Sequence, residues 1–101
     1  MERFSARTID EMGRLALHGD LRQRLGLDTG ESVSFVMVGT LVIMQRADGT
    51  PAAADTDAIS QMNDLGMVTL PKAMRQKLGW REGNKVALYL TDELVIIKSA
   101  G

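Results

Sequence analysis

Apolar positions recur along this chain in two nearly superimposable arrangements: Gly13 to Ile43 lies over Gly66 to Ile96 without a gap. The match includes Gly13/Gly66, Leu17/Leu70, Arg22/Arg75, Gln23/Gln76, Leu25/Leu78, Gly26/Gly79, Gly30/Gly83, Val33/Val86 and Leu41-Val42-Ile43 over Leu94-Val95-Ile96, all at an offset of 53 residues. Repetition at a fixed period signals a duplicated supersecondary unit whose copies bury a shared core.

Within each copy the pattern predicts the same order of elements. A short apolar segment (Ala6 to Ile9; Ile59 to Met62) leads into a polar turn closed by glycine (Gly13; Gly66) and then a second short strand (Arg14 to Leu17; Met67 to Leu70). Glycine suits a turn between two such strands that needs positive φ. Leu21/Leu25 and Met74/Leu78, each spaced i, i+4, predict a helix. Pro71 in the second copy and the carboxylate of Asp20 in the first suit its opening turn. Gly26 and Gly79, each followed by an apolar residue (Leu27; Trp80), predict a left-handed C-cap with a hydrophobic contact. Such a helix has about two turns and depends on tertiary packing. Each copy then ends in a hairpin: Val33–Val38 turning at Gly39-Thr40 into Leu41–Met44, and Val86–Thr91 turning at Asp92-Glu93 into Leu94–Ile97. The run Leu94–Ile97 is apolar on both faces, which predicts burial on both sides. Two copies interleaving their hairpins into a closed barrel would supply that cover and remove strand edges.

Composition narrows the picture. Of 101 residues none is cysteine and one is histidine, so disulfides and a Cys/His zinc site are excluded as sources of stability. A copy of about 40 residues is too small to fold alone on packing, so residues 1–46 and 59–101, joined by a linker, 47–58, rich in Ala, Asp, Gly and Pro, must lean on each other or on a second chain. No cofactor is implied. The absence of a long apolar stretch or signal peptide argues against a membrane and for the cytoplasm. The net charge of −1 hides an uneven distribution: the linker holds three acids and no base, whereas residues 59–101 hold six bases against four acids and residues 1–46 six of each. That alone is weak evidence for a polyanionic partner.

The strings Arg7-Thr-Ile-Asp-Glu-Met-Gly-Arg14 and Leu70-Pro-Lys-Ala-Met-Arg-Gln-Lys-Leu-Gly79, set in this element order twice, resemble the AbrB/MazE/SpoVT-like family of prokaryotic DNA-binding domains. The resemblance covers both copies. It implies a mainly β fold with short helices, a swapped-hairpin barrel formed by two tandem ββαββ repeats as a pseudo-dimer, as in tandem MraZ-like members. It also implies a DNA-binding transcriptional regulator of the nucleoid, not an enzyme, with double-stranded DNA as partner. Arginines on the first hairpin and the short helix would form the DNA face. Carried over, these are Arg7, Arg14, Arg22 and Arg75, with Arg24, Lys72 and Lys77 in support. Ser60 and Met67 stand where the second copy would repeat Arg7 and Arg14, which predicts a surface weighted toward the first copy. A guanidinium suits the task because its planar fork of donors bridges phosphate oxygens or guanine O6 and N7, while lysine acts mainly as a point charge.

The bland alternative makes these arginines solvated surface charges, with Arg22 paired to Asp20 or Asp28. The rival function is a protein-interaction or antitoxin-like barrel; the short Ser99-Ala100-Gly101 after the last strand offers little tail for binding a toxin. Homodimers or higher oligomers of pseudo-dimeric chains stay open. His18 is expected at the surface or in a capping role, Asp10-Glu11 in solvent, Trp80 against the helix end, and Met12, Met37, Met44, Met62 and Met74 in the core.

Overall fold

The computed structural model describes residues 2–17, 19–47 and 59–100, with the backbone alone for residues 2–5. His18 and most of the expected linker lie outside the described residues. Ten elements follow in order: β1 (Glu2–Thr8), β2 (Arg14–Ala16), α1 (Gly19–Leu25), β3 (Ser32–Val38), β4 (Leu41–Arg46), β5 (Ile59–Gln61), β6 (Met67–Thr69), α2 (Lys72–Leu78), β7 (Lys85–Thr91) and β8 (Leu94–Ser99). Six strands form one curled antiparallel sheet in the order β1-β7-β8-β4-β3-β5, and β2 pairs with β6 in a separate ribbon. The fold is mainly β, a half-barrel with two short helices compatible with the swapped-hairpin barrel expected.

The pairing differs from two self-contained hairpins. Each repeat keeps its C-terminal hairpin, β3–β4 and β7–β8, but its first two strands pair with the other repeat. β1 runs beside β7 with Arg7 opposite Val86, and β5 beside β3 with Ser60 opposite Val33. The loop bonds obey the same exchange: Leu17 N–H donates to Gly66 O and Leu70 N–H to Gly13 O, both at 2.9 Å. β1 also starts earlier than the apolar pattern predicts, because β7 supplies hydrogen-bonding partners back to Glu2, with a register shift between Arg3 and Ser5. The sheet is not a closed ring of hydrogen bonds: β1 and β5 remain at its ends.

A pseudo-twofold axis follows from the register. In the ribbon Leu15 faces its own counterpart Val68, and across the sheet Ile43 faces its counterpart Ile96. The axis passes through both pairs, with the core between them. That core is built from equivalent positions: Ile9/Met62, Leu15/Val68, Leu17/Leu70, Leu27/Trp80, Val33/Val86, Phe35/Leu88, Val42/Val95 and Met44/Ile97 are all buried, and no buried residue among those described is polar or charged. On the helices Leu21 and Leu25 are buried while Met74 and Leu78 pack partly against the same cluster.

Three expectations about burial need correction. Leu94 and Ile96 are only half-buried, because strand alternation sends Val95 and Ile97 inward and leaves the other face of the sheet partly open. Met12 is 61% exposed, since it occupies the tip of the turn spanning Asp10–Gly13, where a side chain points away from the core. Met37 is half-buried on β3. Both helices end as predicted: Gly79 N–H donates to Gln76 O and Trp80 N–H to Arg75 O, and Gly26 and Leu27 repeat this with Gln23 and Arg22.

Because the first strands of each repeat find their partners only in the other, residues 1–46 and 59–101 expressed separately should each give an unfolded far-UV circular dichroism spectrum. Mixing them should restore the β signal with concentration dependence.

Candidate nucleic-acid interface

The ribbon carries the site. Leu15 and Val68 point into the core, so Arg14, Ala16, Met67 and Thr69 line its outer face, with Arg14 opposite Thr69 and Ala16 opposite Met67. At each end a tight turn leads in, organised by one acceptor. Asp10 Oδ1 accepts from the N–H groups of Met12 (2.9 Å) and Arg14 (2.7 Å), and Asn63 Oδ1 accepts from Leu65 (2.9 Å) and Met67 (3.0 Å). Asp10 Oδ2 in addition accepts from Arg14 Nε at 2.8 Å. Partial burial raises the Asp10 pKa, but the Arg14 and Met12 donors and the Arg14 charge outweigh it, so the carboxyl titrates below its ordinary value of 3.8.

The helix arginines reach across the repeats. The Arg22 guanidinium lies on Gly66, with Cζ 3.2 Å from where a Cβ would stand, and its Nε is buried without a hydrogen-bond partner. It is held by this contact rather than by Asp20 or Asp28. Arg75 lies on Gly13, with Nε and Nη1 each 2.6 Å from the same construction point, and Arg75 Nε donates to Leu70 O at 3.0 Å. Both glycines also have positive φ, +76° and +75°. This explains why the two residue types recur together in both copies: the turn has no room for a side chain where the other repeat's arginine crosses it.

The exchange rearranges the charge that the sequence assigns mostly to the first copy. Arg7 donates from Nε to Ala16 O at 3.1 Å, which places it beside the Met67 end of the ribbon, next to Arg22 on Gly66. Arg14 sits at the other end, next to Arg75 on Gly13. Each end of the ribbon therefore holds two arginines, three of the four contributed by the first copy. At the position equivalent to Arg7, Ser60 Oγ accepts from Thr69 N–H at 2.9 Å, so serine keeps a link to the ribbon without its charge.

The supporting residues divide. Lys72 is exposed at the start of α2, three positions before Arg75 and hence on the same helix face. Arg24 is two positions from Arg22, on the far side of α1, and lines a hollow of about 320 Å³ with Gln45, Arg46 and Glu93. Its counterpart Lys77 is exposed in the last turn of α2. The structure brings Arg7, Arg14, Arg22, Arg75 and Lys72 together and leaves Arg24 and Lys77 apart. Sequence reasoning missed the turn tips: Met12 and Leu65, equivalent positions, are 61% and 76% exposed beside the ribbon. Their signal was an apolar residue in an otherwise polar turn.

Comparison with known proteins agrees with this architecture. Residues 60–101, less than half of the chain, match the family described as "Antidote-toxin recognition MazE, bacterial antitoxin". The solution structure of PHS018 from Pyrococcus horikoshii is similar in fold, with a TM-score of 0.52 at 18% identity over 99% of this chain and 89% of that one. No curated protein matches the sequence. No helix among the described residues is long and apolar enough to cross a membrane.

Two outcomes follow from the geometry. Gly83→Ala, at φ +88° with nothing within 4 Å, should cost about 1–2 kcal/mol for its backbone alone. Gly13→Ala should cost more, and a double-mutant cycle with Arg75→Ala, followed by urea unfolding, should show coupling on the order of 1 kcal/mol. The Asp10 contribution is fully present above its unfolded pKa and disappears as pH falls through the lowered folded value. Stability should thus drop in acid below about pH 4, and Asp10→Asn, which copies the Asn63 turn, should flatten that part of the profile.

Proposed function

We propose that the protein is a DNA-binding regulator that lays the β2–β6 ribbon on a duplex. The observation that carries this reading is the placement of two arginines at each end of the ribbon, Arg7 with Arg22 and Arg14 with Arg75, of which Arg22 and Arg75 are equivalent under the pseudo-twofold axis. Positive charge at both ends of a near-symmetric ribbon suits the two-fold symmetry of a duplex backbone. Arg7 and Arg14 act from rigid strands, so little ordering entropy opposes phosphate contact. Arg22 and Arg75 fix the turns and add positive potential. Asp10 competes for the Arg14 guanidinium and moderates that end. Double-stranded DNA is the partner, in a nucleoid-associated setting, and the tandem arrangement is of the MraZ-like kind. Lys72 supplements the Arg75 end, whereas Arg24 and Lys77 play no direct part in this docking.

A second reading has its own support in the antitoxin family matched by residues 60–101: a barrel that binds a toxin-like protein with weak or no hold on DNA.

Fluorescence anisotropy with genomic duplex fragments over a range of salt separates the two. Arg7→Ala with Arg14→Ala should weaken binding about 10- to 100-fold and lower the slope of log K against log salt by up to about 2, one contact per arginine. Asp10→Asn should tighten binding. Undiminished, equally salt-sensitive binding by the double variant would overturn the assignment, and the absence of any salt-sensitive binding would favour the protein-interaction reading.

A further inference from the structure

The pole of the molecule opposite the ribbon is apolar. Along one line across the sheet, Val36 of β3 faces Ile43 of β4, Ile43 faces Ile96 of β8, and Ile96 faces Tyr89 of β7. These side chains stand on the outer face, because their strand neighbours Phe35, Val42, Val95 and Leu88 are buried on the inner one. Val36 is 50% exposed and Val38, two residues on, 53%. Lys98, two residues beyond Ile96 on β8, places its ammonium 5.8 Å from the centre of the Tyr89 ring, and the register sets Arg3 of β1 opposite Tyr89 at that end of the row. Contiguous apolar surface of this kind marks an interaction site.

We infer that this face binds a second copy of the chain. The row is centred on the pseudo-twofold axis, which passes between Ile43 and Ile96, so the patch has the self-matching form that an isologous interface requires. Its ends differ in a complementary way. Turning a second copy about an axis along the strands sets each Tyr89 over the smaller Val36 of the other, with Ile43 over Ile96. Two sheets packed in this aligned manner lie about 10 Å apart. Four strands at about 4.8 Å spacing and about 20 Å long present on the order of 400 Å² in projection and more as accessible surface. Both partners together then bury on the order of 800 Å² in projection, the size of a weak, transient contact. The dimer does not depend on the DNA reading. Where that reading holds, the two ribbons point outward at opposite ends, and one dimer holds two duplexes.

Sedimentation equilibrium of the full chain at about 10–300 µM tests the inference. The expected result is a mass rising toward twice the 11.0 kDa of the chain. Val36→Ser with Val38→Ser, at exposed positions that the fold tolerates, should weaken association at least tenfold with an unchanged circular dichroism spectrum, and Ile43→Lys should do so more strongly. Arg7→Ala with Arg14→Ala should leave association intact. The chain has no cysteine, so Val36→Cys and Tyr89→Cys proteins can be mixed with a short bis-maleimide; the mixture should cross-link more than either alone. A protein monomeric at the highest concentration overturns the inference, whether the thiol of the Val36→Cys protein then labels freely, as it would on a face kept for another protein, or is protected by the chain itself. A dimer indifferent to the Val36, Val38 and Ile43 substitutions overturns it equally. Loss of DNA binding with the dimer preserved counts against the proposed function alone.

Discussion

Neither repeat can satisfy the backbone of its own first two strands. The N–H and C=O groups of β1 and β2 find their partners on β7 and β6, and those of β5 on β3, so every segment before a helix is completed by the other half of the chain. Unpaired backbone groups are costly wherever water is excluded. That exchange is consequently what makes one core out of two fragments too small to have their own. The matched buried pairs, from Ile9/Met62 to Met44/Ile97, fill the space that it encloses.

The contact between each helix arginine and the other repeat's turn glycine belongs to the same exchange. A guanidinium crossing a glycine at positive φ locks helix to turn across the repeat boundary, and does so twice. Arg22 and Arg75 are thereby structural groups with charge to spare. Arg7 and Arg14 sit nearer the free face, one tied to a backbone carbonyl and the other to a carboxylate. The electrostatic character of the ribbon follows from how the repeats interlock, not from the charge that either repeat carries.

Much of this was legible in the order of residues. Gly26-Leu27 and Gly79-Trp80 announced the helix ends, Gly39-Thr40 and Asp92-Glu93 the hairpin turns, and the 53-residue offset the pseudo-symmetry. Which strand pairs with which was not legible from alternation alone, because an inward-facing Leu15 looks the same whether its neighbour belongs to its own repeat or the other; the family resemblance supplied that. The placement of the charge was not legible for the same reason. Nothing in the order of residues shows that the strand exchange places Arg7 with Arg22 and Arg14 with Arg75. Met12 and the outer face of Leu94 and Ile96 were misread because apolar character indicates core only where the local geometry turns the side chain inward.

Joining the two repeats in one chain changes the order of the folding reaction. A barrel interlocked from two separate polypeptides dissolves on dilution, since its assembly is bimolecular. Here the second unit is always present at the effective concentration set by a short tether, in the millimolar range for flexible connections. Folding becomes unimolecular, and the interlocked state persists at the few copies per cell at which a two-chain version would come apart.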